Sequence, residues 1–454
     1  MRSQQPARAQ PATSACAASN QRVRSQQPAR AQPATSATRR GAASAPIAPT
    51  LSASPKPRCA SPAHRLGETF SPKKQKKLKP QKAAKTRMQI SKNRLIELDF
   101  FRGLVLLFIV VDHIGGSILS RATLHAYALC DAAEVFVFLG GFATATAYAS
   151  LANRHTEADA RNRFFKRSLE LYRAFLVTAV LMLLVSAVMS AFSIDAPNMA
   201  TTDLDDMMDT PAAVLRDILL FRRQPYLASV LPMYAFFAFA VPAILPLARS
   251  KPWLLLAGSL AVWGIAPAML PHLPVAENAQ WDFNPFAWQL MFVLGVIAQT
   301  QPVYQRASAH RYGWLVTALA CGIVAAAAWF KLVVEVTPLD STLKQNLSWL
   351  RAVNFLAIAW LVANMVRLGW ARTIAQQLPW IGLVGRKGLL CFVAGTVISL
   401  VVDSLLYTAT DGYLNVPLGL VADAVAIGSL FAVAKVSVPL SRVLTLRLRG
   451  SGPA

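Results

Sequence analysis

One stretch of this 454-residue chain, LDFFRGLVLLFIVVDHIGGS, sets Asp99, Arg102, Asp112 and His113 among apolar residues. Ionisable side chains inside a bilayer cost a few kcal/mol or more each and usually face a bundle interior or a wet cavity. Read as one helix, the eleven-residue step from Arg102 to His113 falls about 20° from whole turns, so both project from one face, about 16 Å apart along the axis. An imidazole near neutral pH can serve as a general base or accept an acyl group. Arg102 can hold a phosphate or carboxylate by charge-assisted hydrogen bonds. Asp99 precedes Arg102 by three residues and can pair with it, whereas Asp112 reaches His113 only through another helix or a turn distortion. Each charge taken alone also fits a snorkelling side chain or a structural ion pair.

The next apolar stretch, CDAAEVFVFLGGFATATAY, places Asp131 and Glu134 one turn apart at its start. Glu134 either orients and charge-balances His113 or is a helix N-terminal carboxylate favoured by the dipole. Gly140 and Gly141 mark a place where another backbone can come close.

The elements that must position these groups follow from composition. Hydrophobic residues make up 54% of the chain and charged residues 15%, with a mean hydropathy of +0.40, whereas soluble domains carry nearer a quarter charged. The net charge of +24 suggests a nucleic-acid binder until it is divided by position. Residues 1–88 hold 18 Lys/Arg against one acid, Glu68, and the remaining 366 residues hold 28 against 21. The basicity belongs to a tail, and a globular nucleic-acid-binding domain is not expected. Five cysteines (Cys16, Cys59, Cys130, Cys321, Cys391) lack CxxC spacing, so neither a metal site nor a disulfide framework is indicated.

The tail repeats RSQQPARAQPATSA at 2–15 and 24–37 and carries KKQKKLK at 73–79. It is too polar to bury a core and lacks the apolar region of a secretory signal, so a disordered cytoplasmic extension over 1–88 is expected. Met88 would make a natural alternative start. Windows of about 20 apolar residues then predict spans at 98–119, 130–152, 169–192, 226–248, 252–270, 285–300, 313–333, 349–369, 388–408 and 415–437, the sixth being short. The expected fold is all-α: a polytopic membrane protein of ten spanning helices over 89–440, with a short basic tail at 441–454. Lys and Arg gather in the even-numbered connections, among them Arg154, Arg161, Arg163, Lys166 and Arg167. The odd ones differ, and 193–225 has six aspartates against three arginines. Both termini are therefore expected in the cytoplasm.

Five ordered blocks carry a resemblance: DFFRGLVLLFIVVDH, DAAEVFVFLGG, QPYLASVLPMY, NPFAWQLMFVLG and GRKGLLCFVAGT. Together, over roughly 94–440, the chain resembles the OpgC family of inner-membrane proteins, which succinylate osmoregulated periplasmic glucans. The Arg-ten-His spacing is similar to that of the wider class of membrane acyltransferases acting on extracytoplasmic sugars. Arg386 is followed by Lys387 where the family often has a smaller polar residue. The resemblance implies acyl transfer, with succinyl-CoA or another acyl-CoA as co-substrate, no resident cofactor, a periplasmic glucan as acceptor and the glucan synthesis machinery as a possible partner. His113, with Asp112 and Glu134, would form the catalytic group. Arg102 would bind the donor, Asp99 and Asp131 would also bind substrate, and Gln224, Tyr226, Asn284, Trp288 and Gln289 would bind the sugar. Those last five fit an interfacial aromatic belt with helix caps equally well. A proton-coupled transporter or flippase, which should show paired halves with broken helices, and a non-catalytic membrane partner of a glucan synthase remain as alternatives.

Overall fold

The computed structural model describes residues 80–154, 156–194, 196–199, 202–225, 227–277, 279–334 and 341–450, with side chains from 96 to 437 within those ranges. The tail over 1–79 and Tyr226 lie outside them. Among the described residues regular structure is helical throughout. The first four helices are α1 (Pro80–Asp112), α2 (Leu124–Tyr127), α3 (Ala132–Arg154) and α4 (Glu157–Ala191). Two short ones, α5 (Leu204–Asp209) and α6 (Pro211–Leu219), precede α7 (Val230–Ser250), α8 (Pro252–Met269) and α9 (Pro285–Thr300). After α10 (Val303–Ala309) come α11 (Gly313–Trp329), α12 (Ser341–Gln345) and α13 (Trp349–Arg367). The chain continues through α14 (Trp370–Gln377), α15 (Pro379–Arg386), α16 (Gly388–Thr410) and α17 (Val416–Gly450).

Each of the ten predicted segments overlaps one of these helices. Among the described residues eight are long and apolar enough to cross a membrane: α3, α4, α7, α8 extended to His272, α11 extended to Val334, α13, α16 and α17. The two that differ are the first and the sixth. α1 ends at Asp112, seven residues short of the predicted boundary, because the next donors are taken by other acceptors. Asp403 receives the Gly115 N–H at 2.7 Å, and Asp423 receives those of Ile118 at 3.0 Å and Leu119 at 2.9 Å. An apolar window counts Ile114, Ile118 and Leu119 whatever their backbone does, so it carried the helix too far. His113 therefore sits in the turn that follows α1, and the helical projection that put it on one face with Arg102 stops one residue before it. The sixth predicted span, α9, starts at the Asn284 cap with Pro285 in its first turn and breaks before Pro302, and α10 departs at 68°.

Helices apolar around their whole circumference belong in lipid. α4 illustrates this: Phe175, Ala179 and Met182 are buried, while Val177, Val180, Leu184 and Val188 are exposed. Two crossings hold the centre. A Cβ at Gly141 of α3 would fall on the Phe292 carbonyl oxygen of α9, and one at Gly295 of α9 on that of Phe138. Gly103 of α1 and Gly385 of α15 stand in the same relation to the carbonyls of Ile381 and Asp99. These are the close backbone approaches that glycine alone permits.

Candidate functional site

At the end of the bundle opposite the basic connections, the turn after α1 is tied to three other elements. His113 Nδ1 lies 2.7 Å from the Ile109 carbonyl oxygen, one turn back. A carbonyl only accepts, so Nδ1 carries a proton and Nε2 of the neutral ring carries the lone pair. Asp112 accepts from the Thr123 hydroxyl at 2.6 Å, closing the loop back onto the end of α1. Ser117 donates its hydroxyl to Asp423 at 2.5 Å, and Asn198 donates to Asp403. The turn bearing His113 is thereby fixed by carboxylates from α16 and α17.

Asp131 and Glu134 open α3 beside this turn. The Asp131 N–H donates to Glu134 Oε2 at 2.9 Å, and Asp131 Oδ1 accepts the Ala133 N–H at 2.7 Å, so both carboxylates cap the helix. They also form an ion network. Arg351 Nε donates to Glu134 Oε1 at 2.6 Å, Arg351 Nη2 to Asp131 Oδ2 at 3.0 Å, and Lys344 Nζ meets the same oxygen at 2.9 Å. Both Glu134 oxygens are thus engaged, and neither goes to His113. Burial works against the Lys344 charge, but Asp131 outweighs it and raises the group above the ordinary lysine range. The charges of Lys344 and Asp131 reach His113, Asp112 and His125 through space. Asn354 completes the neighbourhood, its Oδ1 accepting the Leu129 N–H at 3.0 Å.

About three turns back along α1, Arg102 lines a cavity of about 120 Å³ shared with Arg167 of α4, Tyr234 of α7, Gly140 and Thr144 of α3, and Gly388 of α16. Arg102 makes no hydrogen bond or ion pair among the described residues. The pairing expected with Asp99 does not close, although Asp99 stands within electrostatic range of both Arg102 and Arg386. Arg167 is tied to Glu170 at 2.9 Å. A Cβ at Gly388 would lie 2.8 Å from Arg102 Nη2, so the guanidinium abuts the first turn of α16, where unpaired N–H groups add to the local positive potential. The arrangement favours an anion.

Of the five proposed sugar-side residues Tyr226 lies outside the described residues, and the side chains of the other four are turned to partners within the fold or left buried. Asn284 is fully buried: it caps α9 through Phe286 N and donates to the Ala266 carbonyl at 2.8 Å and to Asn346 at 2.9 Å. Trp288, equally buried, donates to the Lys344 and Gln345 carbonyls. Gln289 exchanges two bonds with Ser259 of α8. Gln224 donates weakly to the Phe221 carbonyl at 3.4 Å, and its buried Oε1 has no partner.

Arg351, Lys344, Asp403 and Asp423 escaped the reading of the sequence. The signal for three of them was the one that singled out α1, an ionisable residue inside a predicted span. Lys344 lies in a connection and offered no such mark.

A family model described as OpgC protein matches residues 94–442, well over half the chain and everything described above from Asp99 to Asp423. No curated protein matches it.

Proposed function

This chain belongs to the OpgC family, and from that premise, which supports an acyltransferase-type role on glucans, we propose that it transfers a succinyl group from cytosolic acyl-CoA to hydroxyls of a periplasmic glucan. In this reading it resides in the inner membrane with both termini in the cytoplasm. One observation carries the proposal: the turn that follows α1 holds an imidazole whose Nδ1 is fixed by Ile109, and the same helix opens into a cavity a guanidinium that has no ion pair among the described residues. The two groups suit a base and a donor anchor.

The chemistry follows. The donor's anionic groups dock at Arg102 and Arg167 against the first turn of α16, and its acyl thioester extends along α1 toward the turn. A glucan hydroxyl gives its proton to His113 Nε2 as its oxygen attacks the thioester carbonyl. The C–S bond breaks, an ester forms, and the departing CoA thiolate takes the proton back from the imidazolium. Ile109 fixes the tautomer throughout, the part a carboxylate plays in other imidazole-dependent acyl transfers. The Asp131–Arg351–Glu134 network braces the start of α3 beside the ring. Asn284, Trp288 and Gln289 hold helices together in this account, and the acceptor sugar enters beside Asp112 and His125.

Mass spectrometry of the periplasmic glucan fraction tests the function directly. With the parental gene, acidic acyl groups appear on the glucan; without it they do not. His113→Ala, matched for membrane abundance, abolishes acylation while donor binding persists. Arg102→Ala weakens donor binding, and Arg102→Lys restores it poorly because a point charge cannot replace the fork. Acylation at the parental rate by a stably inserted His113→Ala protein refutes the assignment and favours a transport role.

A further inference from the structure

The segment 341–348 is joined to the bundle through its main chain. Trp288 Nε1 donates to the carbonyls of Lys344 at 3.0 Å and Gln345 at 3.2 Å, and Trp263 Nε1 to that of Leu347 at 2.9 Å. The Asn284 N–H donates to the Gln345 carbonyl at 3.0 Å, and Gln345 returns its side-chain amide to the Trp281 carbonyl at 2.6 Å. Leu347 is fully buried at φ +47°, a left-handed conformation that a branched side chain keeps only where its surroundings impose it. The buried indole of Trp288, the half-buried one of Trp263 and the main chain of the buried Asn284 are thus committed to holding one short connection in place.

What that connection presents is Lys344. Of the four charged side chains in the network, Glu134 is 0% exposed, Asp131 11%, Arg351 13% and Lys344 38%. The charge that an incoming molecule can meet is therefore cationic. Its ammonium has three donors, of which Asp131 takes one. The reach of its charge includes His113, where an acyl carbonyl would sit.

We propose that Lys344 receives a carboxylate carried on the far end of the acyl chain and so selects a dicarboxylic donor over a neutral one. This rests on the acyl-transfer reading above. The ion network then has two tasks: Arg351 neutralises the buried caps of α3, and Lys344, freed from carrying that load alone, faces the substrate. An anionic substituent on the glucan would offer the same chemistry, so the test uses an uncharged acceptor.

The experiment gives the purified full-length protein in lipid nanodiscs an uncharged glucose oligomer and either succinyl-CoA or butyryl-CoA, which matches its carbon chain but lacks the second carboxylate. The parental protein should prefer succinyl-CoA. Lys344→Gln should lower kcat/KM for succinyl-CoA by roughly 10- to 100-fold, the loss of a hydrogen bond to a charged group, and leave butyryl transfer within about threefold. Lys344→Arg should keep most of the preference. A parental protein that transfers both donors equally overturns the proposal without recourse to any variant. A Lys344→Gln protein in which both rates fall together also overturns it, since Lys344 is then only structural. If the parental protein transfers neither donor, the acyl-transfer reading fails and takes this inference with it.

Discussion

Replacing Arg351 by Met should destabilise the protein far more than its distance from the expected reaction centre suggests. The guanidinium gives Nε to Glu134 at 2.6 Å and Nη2 to Asp131 at 3.0 Å. Without it, Asp131 keeps Lys344 at 2.9 Å, so its share of the loss is small. Glu134 keeps only the Asp131 N–H and is fully buried. Removing one partner of a buried ion pair costs about 3–5 kcal/mol, a change of roughly two to three and a half decades in the unfolded fraction at 1.4 kcal/mol per decade. Exchanging Glu134 for Gln in the same chain removes the stranded charge and leaves an amide oxygen for the Asp131 N–H. The double variant Arg351→Met/Glu134→Gln should therefore recover all but about 1 kcal/mol. Reversible unfolding in mixed detergent micelles measures all three proteins. An Arg351→Met protein within about 1 kcal/mol of the parent, or a double variant no more stable than the single one, would show that charge compensation is not what Arg351 supplies.

Gly141→Ala should lose stability by about 1–3 kcal/mol or more because its new methyl meets the Phe292 carbonyl, whereas Gly258→Ala on α8, with nothing within 4 Å, should be neutral or slightly stabilising. The same unfolding measurement compares them, and equal costs would contradict the close crossing of α3 and α9. Reporter fusions at Arg161 and Asp205 should give signals from opposite sides of the membrane, since Arg161 lies in the second turn of α4 and Asp205 in α5, beyond the far end of α4. Signals from the same side would refute the loop-charge argument.

The sequence made the helical, membrane-embedded architecture legible because hydropathy is a local property, and each apolar window overlaps a helix. The five ordered blocks likewise identified the family that the match over 94–442 establishes. The end of α1 was not legible. It depends on Asp403 and Asp423, nearly 300 residues away in the chain, winning backbone donors that a longer helix would have used. Candidate site residues divide in the same way. Arg102 and His113 stand out by type in an apolar setting, whereas the partners of Asp131 and Glu134 come from a helix more than 200 residues on. Asn284 and Trp288 read as sugar-side groups because an amide or indole looks the same whether its partner is a ligand or a carbonyl of its own chain.

α9 has only 16 residues, which at 1.5 Å per residue is about 24 Å, some 6 Å less than a typical hydrocarbon layer. Its neighbours α3, α7 and α8 are longer, and ten of its residues are buried in the bundle they form with it. Its ends are finished by amide groups instead of by further helical turns: Asn284 accepts the Phe286 N–H at 3.1 Å at one end, and Gln301 donates to the Ala248 carbonyl at 3.0 Å at the other. The central helix therefore uses side-chain amides where a longer one would use backbone, and replacing either amide by an apolar residue would leave a backbone group of the bundle without its partner.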